Sequence, residues 1–197
     1  SLLPKYIGAS PIQYALLNGD PYTGLTTFFI NDKIDQGEII YQKKIELDKY
    51  ITFDTLLNKM INESKEVLKN TLKFIINKQS NKFNNISKSY APKIEKGDFI
   101  INWDNSCKKI HNQIRALTYK GAYSMIGNKR IKFFNTKYKQ HNHKKAYGSF
   151  NLTDGQLEIS ANDGYLYAEN VQVEGKKKTS ALNFYNSRQN NSNIFGK

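Results

Sequence analysis

Apolar residues recur at helical spacing through residues 52–77, where Leu56, Met60, Ile61, Val67, Leu68, Leu72, Ile75 and Ile76 follow a Thr52 that can cap the first turn. The spacing predicts one long amphipathic helix ending near Asn77 and covering a sheet. Upstream, Ser10-Pro11 reads as an N-cap with proline at the first helical position. Ile12, Ala15, Leu16 and Leu17 give an apolar face, and Gly19 gives a stop, which together predict a short helix. Residues 24–30 (GLTTFFI) and 38–47 (EIIYQKKIEL) are rich in β-branched and aromatic side chains, and the polar residues 31–37 between them fit a loop at a strand end. The first half therefore reads as α/β.

Residues 78–97 are rich in Asn, Ser and Lys with few apolar positions, a composition that predicts an extended linker. The expected organisation is a first domain at 1–80, a linker at 81–97 and a second domain at 98–197. In the latter, Ile110, Ile114 and Leu117 mark a helix from about Ser106. Short alternating runs follow at 123–126, 131–135, 148–152, 157–160 and 165–173, separated by the turn pairs Gly127-Asn128, Asp154-Gly155 and Asp163-Gly164. Five short strands and a helix in this span suggest a small closed or partly closed β-barrel of OB-like topology. The Asn-rich end, QNNSNIFGK, is expected to fray.

Charge adds a partner class to this picture. The 197 residues carry 30 Lys+Arg against 17 Asp+Glu, a net of +13, which favours a polyanion. Only Arg115, Arg130 and Arg188 are arginines, so part of the excess is a general drift toward lysine. Up to Gly97, 14 lysines face 10 acids; beyond it 16 cations face 7, so the net is +4 and then +9. The single Cys107 excludes a disulfide framework and suggests a cytoplasmic setting. There is no run of 18 apolar residues and no signal-peptide pattern, so no membrane partner is expected. The opening Ser1 suggests a processed chain or a piece of a longer one.

Most standard chemistry is absent: there is no phosphate loop, no GxSxG and no HExxH. His141 and His143, with His111 elsewhere, lack a Cys or carboxylate at ligand spacing, so no metal site is expected and QHNHKK reads as a solvated turn. Cys107 reads as a small buried or half-buried residue rather than a nucleophile. More informative is the loop holding Asp32, Asp35 and Glu38 after an apolar strand, a position where catalytic carboxylates tend to sit.

Four blocks, in order, resemble the methionyl-tRNA formyltransferase family over essentially the whole chain. They are SLLPKYIGASPIQYALLNGD, TGLTTFFINDKIDQGEII, YAPKIEKGDFIINWDNSCKKIHNQIRAL and VQVEGKKKTSALNFYNS. The first two blocks are shared with sugar formyltransferases; the last two carry the signature of the tRNA enzyme. The resemblance implies the C-terminal part of a Rossmann-like formyltransferase domain followed by an OB-like domain. It also implies transfer of the formyl group of 10-formyltetrahydrofolate to the amino group of initiator methionyl-tRNA in translation initiation, by a monomer that needs no metal. Asp35 maps to the family's catalytic Asp, and Ser1, Leu2, Leu3 and Pro4 map to a segment lining the folate site. In the family an Asn and a His stand in the order N-x-H-x-S-L-L-P. This sequence is therefore expected to be a fragment lacking that pair and inactive alone. The alternatives are a non-catalytic tRNA-binding remnant and a sugar-nucleotide N-formyltransferase.

The second domain has a physical reading of its own. Tyr119, Tyr123, Phe133, Phe134 and Tyr138 alternate with Lys120, Lys129, Arg130, Lys132, Lys137 and Lys139, which suits a sequence-tolerant RNA surface, with about half of the aromatics in the core. Lys129, Arg130, Lys176, Lys177 and Lys178 are the expected tRNA contacts.

Overall fold

The computed structural model describes residues 1–77, 87–188 and 193–196. These form two compact units, Ser1–Ile94 and Glu95–Lys197.

In the first unit, helix α1 (Pro11–Leu17) buries Ala15 and Leu16. Strands β1 (Tyr22–Phe28) and β2 (Ile39–Glu46) pair antiparallel, with Thr26 opposite Gln42, Thr27 opposite Tyr41 and a bulge after Thr27. Helix α2 (Phe53–Ile76) follows, its Thr52 side chain accepting from Thr55 N–H. Because side chains alternate along a strand, the hairpin has two different faces. On one, Thr27 meets Thr71 of α2 at 2.8 Å, Tyr41 packs on Phe74, and Lys43 binds Glu63 and Glu66. The other face carries the chain's first four residues. Helix α2 departs from the single apolar stripe expected of it. Leu56, Met60 and Val67 are buried, whereas Ile61, Leu68, Leu72, Ile75 and Ile76 are exposed, because a hairpin two strands wide covers only one side of the helix.

The expected linker differs as well. Residues 81–86 lie outside the described residues, but the segment after them is docked in the first unit. Ile7 N–H donates to Ser89 O at 2.8 Å, Ala91 N–H to Ile7 O at 2.8 Å and Ser10 N–H to Ala91 O at 3.1 Å, with Ala91 fully buried. Polar side chains made this stretch look unstructured, yet its backbone groups pair regardless of side-chain polarity.

In the second unit, helix α3 (Cys107–Ala116) packs on an antiparallel sheet of β3 (Tyr123–Ile126), β4 (Lys129–Gln140), β5 (Phe150–Thr153), β6 (Gln156–Ala161) and β7 (Gly164–Val173). The spatial order is β3-β4-β7-β6-β5, with a short β8 (Thr179–Ser180) on β7 and helix α4 (Ala181–Asn186) after it. Among the described residues the strands do not close on one another, leaving β3 and β5 as edges. Residues 193–196 lie against both: Gly196 N–H donates to Met125 O at 2.9 Å, and Phe150 N–H donates to Asn193 O at 2.9 Å. This corrects the expectation of a frayed end for these four residues; residues 189–192 and 197 of that stretch lie outside the described residues. The reason is Phe195, 3% exposed and stacked on Phe150 and Trp103. Polar neighbours hid a core side chain. Cys107 is fully buried as expected, and burial, followed by the hydrogen bond and charge of Asp163, pushes its thiol up to about 12.

Candidate functional sites

Of the three loop carboxylates, the structure sets one apart. Asp32 and Glu38 are exposed, whereas Asp35 is half-buried, sits at φ +53°, and accepts a hydrogen bond from Gly8 N–H at 3.2 Å. The loop is shaped by its own backbone. Phe29 N–H donates to Glu38 O at 2.8 Å, prolonging the hairpin ladder, and the Asn31 side chain donates to Gln36 O while accepting from Lys33 N–H. Gly37 makes this closure possible, since a Cβ there would stand 1.6 Å from Phe29 O. We expect Gly37→Ala to leave the melting of the second unit unchanged while raising hydrogen exchange at Phe29 N–H and in the loop at least tenfold; unchanged exchange would show that the loop has another anchor.

Residues 1–4 form a fixed ledge on the face of the hairpin away from α2. Thr26 Oγ1 donates to Ser1 O at 2.7 Å and accepts from Leu3 N–H and from the Gln42 amide, so the hydroxyl's hydrogen-bonding capacity is filled. Leu2 O accepts from Lys5 N–H, Leu3 O from Gln42 Nε2 and Pro4 O from Ser89 N–H. With all four carbonyls engaged internally, the ledge presents a rigid surface and a second lone pair on each oxygen. Leu2 lies over Gly24, where any side chain would collide with it. The hydrogen bond from Gly8 ties Asp35 to the segment that continues from the ledge, four residues beyond Pro4. Phe29, Ile30 and Ile34, in and next to the loop that holds Asp35, are exposed apolar side chains, 52, 93 and 78% exposed. Sequence reading passed over these three, although their clustering in a polar loop was a visible signal.

The second unit offers a basic face. The pairing of Ile131 with Val173 sets the β3–β4 turn beside the turn after β7 and so brings Lys129 and Lys176 onto one concavity of about 630 Å³. Arg188, which sequence reading did not select, lines it too; its place just after the last helix, as one of only three arginines, was the available signal. Arg130 points elsewhere: its Nε donates to Glu174 Oε1 at 3.0 Å and its backbone N–H to Glu174 Oε2, with the guanidinium over Tyr123. Lys178 Nζ lies 4.3 Å from the centre of the Phe134 ring, covering it. Phe133 is fully buried, so of the aromatic series Tyr119 is the most exposed.

The histidine turn is more ordered than its polarity suggested. His143 Nε2 lies 2.8 Å from Ala161 O, its Nδ1 accepts from Lys145 N–H, and its ring stacks on Tyr165 at 4.7 Å. These bonds place the proton on Nε2. Among the described residues no three His, Cys, Asp or Glu side chains converge as a metal site would require, and no helix is long and apolar enough to cross a membrane. All three histidines belong to the second unit.

Comparison with known proteins gives this geometry a context. The formyl transferase family profile matches residues 1–72, and the profile of the formyl transferase C-terminal domain matches residues 93–189. The chain is 36% identical over 197 residues to the methionyl-tRNA formyltransferase of Thermodesulfovibrio yellowstonii, covering 97% of this chain and 62% of that protein. It is 33% identical over 190 residues to the methionyl-tRNA formyltransferase of Pseudothermotoga lettingae, covering 95% and 63%. Among solved structures, the N-formyltransferase of Helicobacter canadensis, in complex with folinic acid and dTDP-3-aminofucose, superposes with a TM-score of 0.66 at 28% identity over 84% of this chain and 62% of that one. The chain thus spans a little over three fifths of the length of the relatives it matches.

Proposed function

The chain belongs to the formyl transferase family, and on that premise we propose that it acts in transfer of the formyl group of 10-formyltetrahydrofolate to the amino group of initiator methionyl-tRNA, in the cytoplasm and as a monomer. The single observation that carries the reading is the pairing of the two family profiles, in order, with a half-buried Asp35 tied to Gly8, in the segment that continues from the ledge of Ser1, Leu2, Leu3 and Pro4. In this reading the first unit is part of a Rossmann-like domain and the second an OB-like domain whose open edges are joined by residues 193–196.

The folate supplies an activated formyl carbon. The ledge fits such a co-substrate because its main chain is pre-set by Thr26 and Gln42 and costs little ordering on binding. The exposed Phe29, Ile30 and Ile34 offer apolar surface in and next to the loop that holds Asp35. The amine would attack the formyl carbon to form the new C–N bond, the bond from that carbon to the folate nitrogen would break as the tetrahedral adduct collapses, and the proton shed by the amine, taken up by the Asp35 carboxylate, would pass to that leaving nitrogen. The Gly8 N–H holds that carboxylate in place without neutralising it. Lys129, Lys176, Lys177 and Lys178 attract the tRNA backbone, while Arg130 is held by Glu174.

A second reading, a sugar-nucleotide acceptor, is favoured by the likeness to the Helicobacter canadensis enzyme. One assay separates the two: formyl transfer by the protein as its source cell makes it, offered methionyl-tRNA or a dTDP-amino sugar. We expect transfer to the tRNA. Transfer to the sugar alone would overturn the reading. In parallel, changing Lys176, Lys177 and Lys178 to Ala should weaken tRNA binding and flatten its dependence on log salt by about 2–3 units of slope, close to one unit for each phosphate no longer neutralised. An unchanged slope would remove these lysines from the interface.

A further inference from the structure

The concavity that Lys129 and Lys176 share is not a plain basic ridge. Its apolar side is formed by the half-buried Ile126 and Val173 over the buried Ile131 and Phe184, and it is lined as well by Lys129, Lys176 and Arg188 together with the polar Asn128 and Ser187. Among the described residues no carboxylate lines it. The nearest acid in sequence, Glu174, is turned to Arg130 and lines a separate hollow of about 190 Å³ with Arg130 and Lys132. Arg188 is held from behind: its Nη1 donates to Asn193 Oδ1 at 2.9 Å, and its guanidinium lies 4.6 Å from the centre of the Phe150 ring.

We propose that this concavity takes one nucleotide of an RNA strand, its base resting on the apolar side and its phosphate held by Lys129, Lys176 and Arg188. The inference rests on the tRNA reading above and sharpens it from backbone attraction to a discrete pocket. A ligand that is only anionic would satisfy the cations and leave the apolar side wetted. An uncharged apolar ligand would cover the apolar side and make no use of the cations. A nucleotide meets both, since every base presents an apolar π-face next to a charged phosphate. The volume is within the range of about 300–1,000 Å³ typical of small-ligand sites. An acidic peptide could also meet the cations; the net charge of +9 beyond Gly97 and the acceptor proposed above favour RNA.

The test is titration of the full chain with adenosine 5′-monophosphate, adenosine and inorganic phosphate, followed through the backbone amide signals. We expect the monophosphate to bind at least tenfold more tightly than either of its parts, moving the Gly127, Asn128 and Ser187 amides. Lys129→Ala with Lys176→Ala, both at exposed positions, should weaken it at least tenfold. Ile126→Ala should weaken the monophosphate and leave phosphate binding unchanged. Equal affinity for monophosphate and phosphate would overturn the pocket, as would displacement of the monophosphate by a glutamate-rich peptide that binds more tightly at the same amides. If the double variant binds tRNA with the wild-type salt slope and the monophosphate binds nowhere, the pocket fails while the tRNA reading stands. If the monophosphate binds as described and tRNA does not bind at all, that reading fails while the pocket stands.

Discussion

Phe195→Ala is expected to destabilise the second unit by about 3–5 kcal/mol, the usual cost of removing a well-packed core aromatic. The side chain is 3% exposed and touches three other rings, with centroids 4.2 Å from Phe150, 5.1 Å from Phe133 and 5.9 Å from Trp103. Its backbone segment also lies along both edges of the sheet, Asn193 O accepting from Phe150 N–H and Gly196 N–H donating to Met125 O, each at 2.9 Å. Losing the ring loosens that segment and exposes two strand edges at once. Trp103 is the chain's one tryptophan and belongs to this unit, so its fluorescence reports unfolding here alone. A drop in Tm of more than about 10 °C is expected, since about 1 kcal/mol moves a domain of this size by roughly 4–8 °C. Ile194→Ala is the control: that side chain is 42% exposed and its contribution to the edge is through the backbone, so its loss should cost under about 1 kcal/mol. Equal small shifts for both variants would show that the tail is an accessory rather than part of the core.

In the protein as its source cell makes it, Asp35→Asn should lower the rate of formyl transfer by about 10²–10⁴, the range associated with a positioned proton acceptor. The substitution is chosen to separate chemistry from folding. An asparagine oxygen can still accept the hydrogen bond from Gly8 N–H, so the loop keeps its 3.2 Å tie, while the negative charge and the proton-accepting capacity are lost. Melting should stay within about 1 kcal/mol of the parent, and the effect should fall on kcat rather than KM. Asp32→Asn and Glu38→Gln, at exposed positions of the same loop, should change the rate less than threefold. A drop of less than tenfold for Asp35→Asn would remove Asp35 from the proton path; an equal loss in all three variants would point to the loop's overall charge instead.

The local pattern along the chain was enough for most of the elements. Spacing and caps located α1, α2 and α3 to within a residue or two, because a helix is held by bonds between near neighbours and its boundary residues act locally. The alternating runs of the second half likewise marked β3, β5, β6 and β7, with β4 longer at both ends than its apolar stretch. Asp35 was legible as one of three loop acids, and its selection over Asp32 and Glu38 came in sequence from the family motif alone.

Other features depend on partners far apart along the chain. The tie from Gly8 to Asp35, the docking of Ser89 and Ala91 beside Ile7, the meeting of Lys129 with Lys176 and Arg188, and the burial of Phe195 under two sheet edges each join residues separated by tens of positions. A pairing between backbones leaves little mark in side-chain composition, and one apolar residue in a polar tail has no periodicity to betray it. The elements, the excess of positive charge and the loop that holds the carboxylate were therefore written in the order of residues, where near neighbours suffice, whereas which of those side chains share a site was settled only when the chain folded and distant segments met.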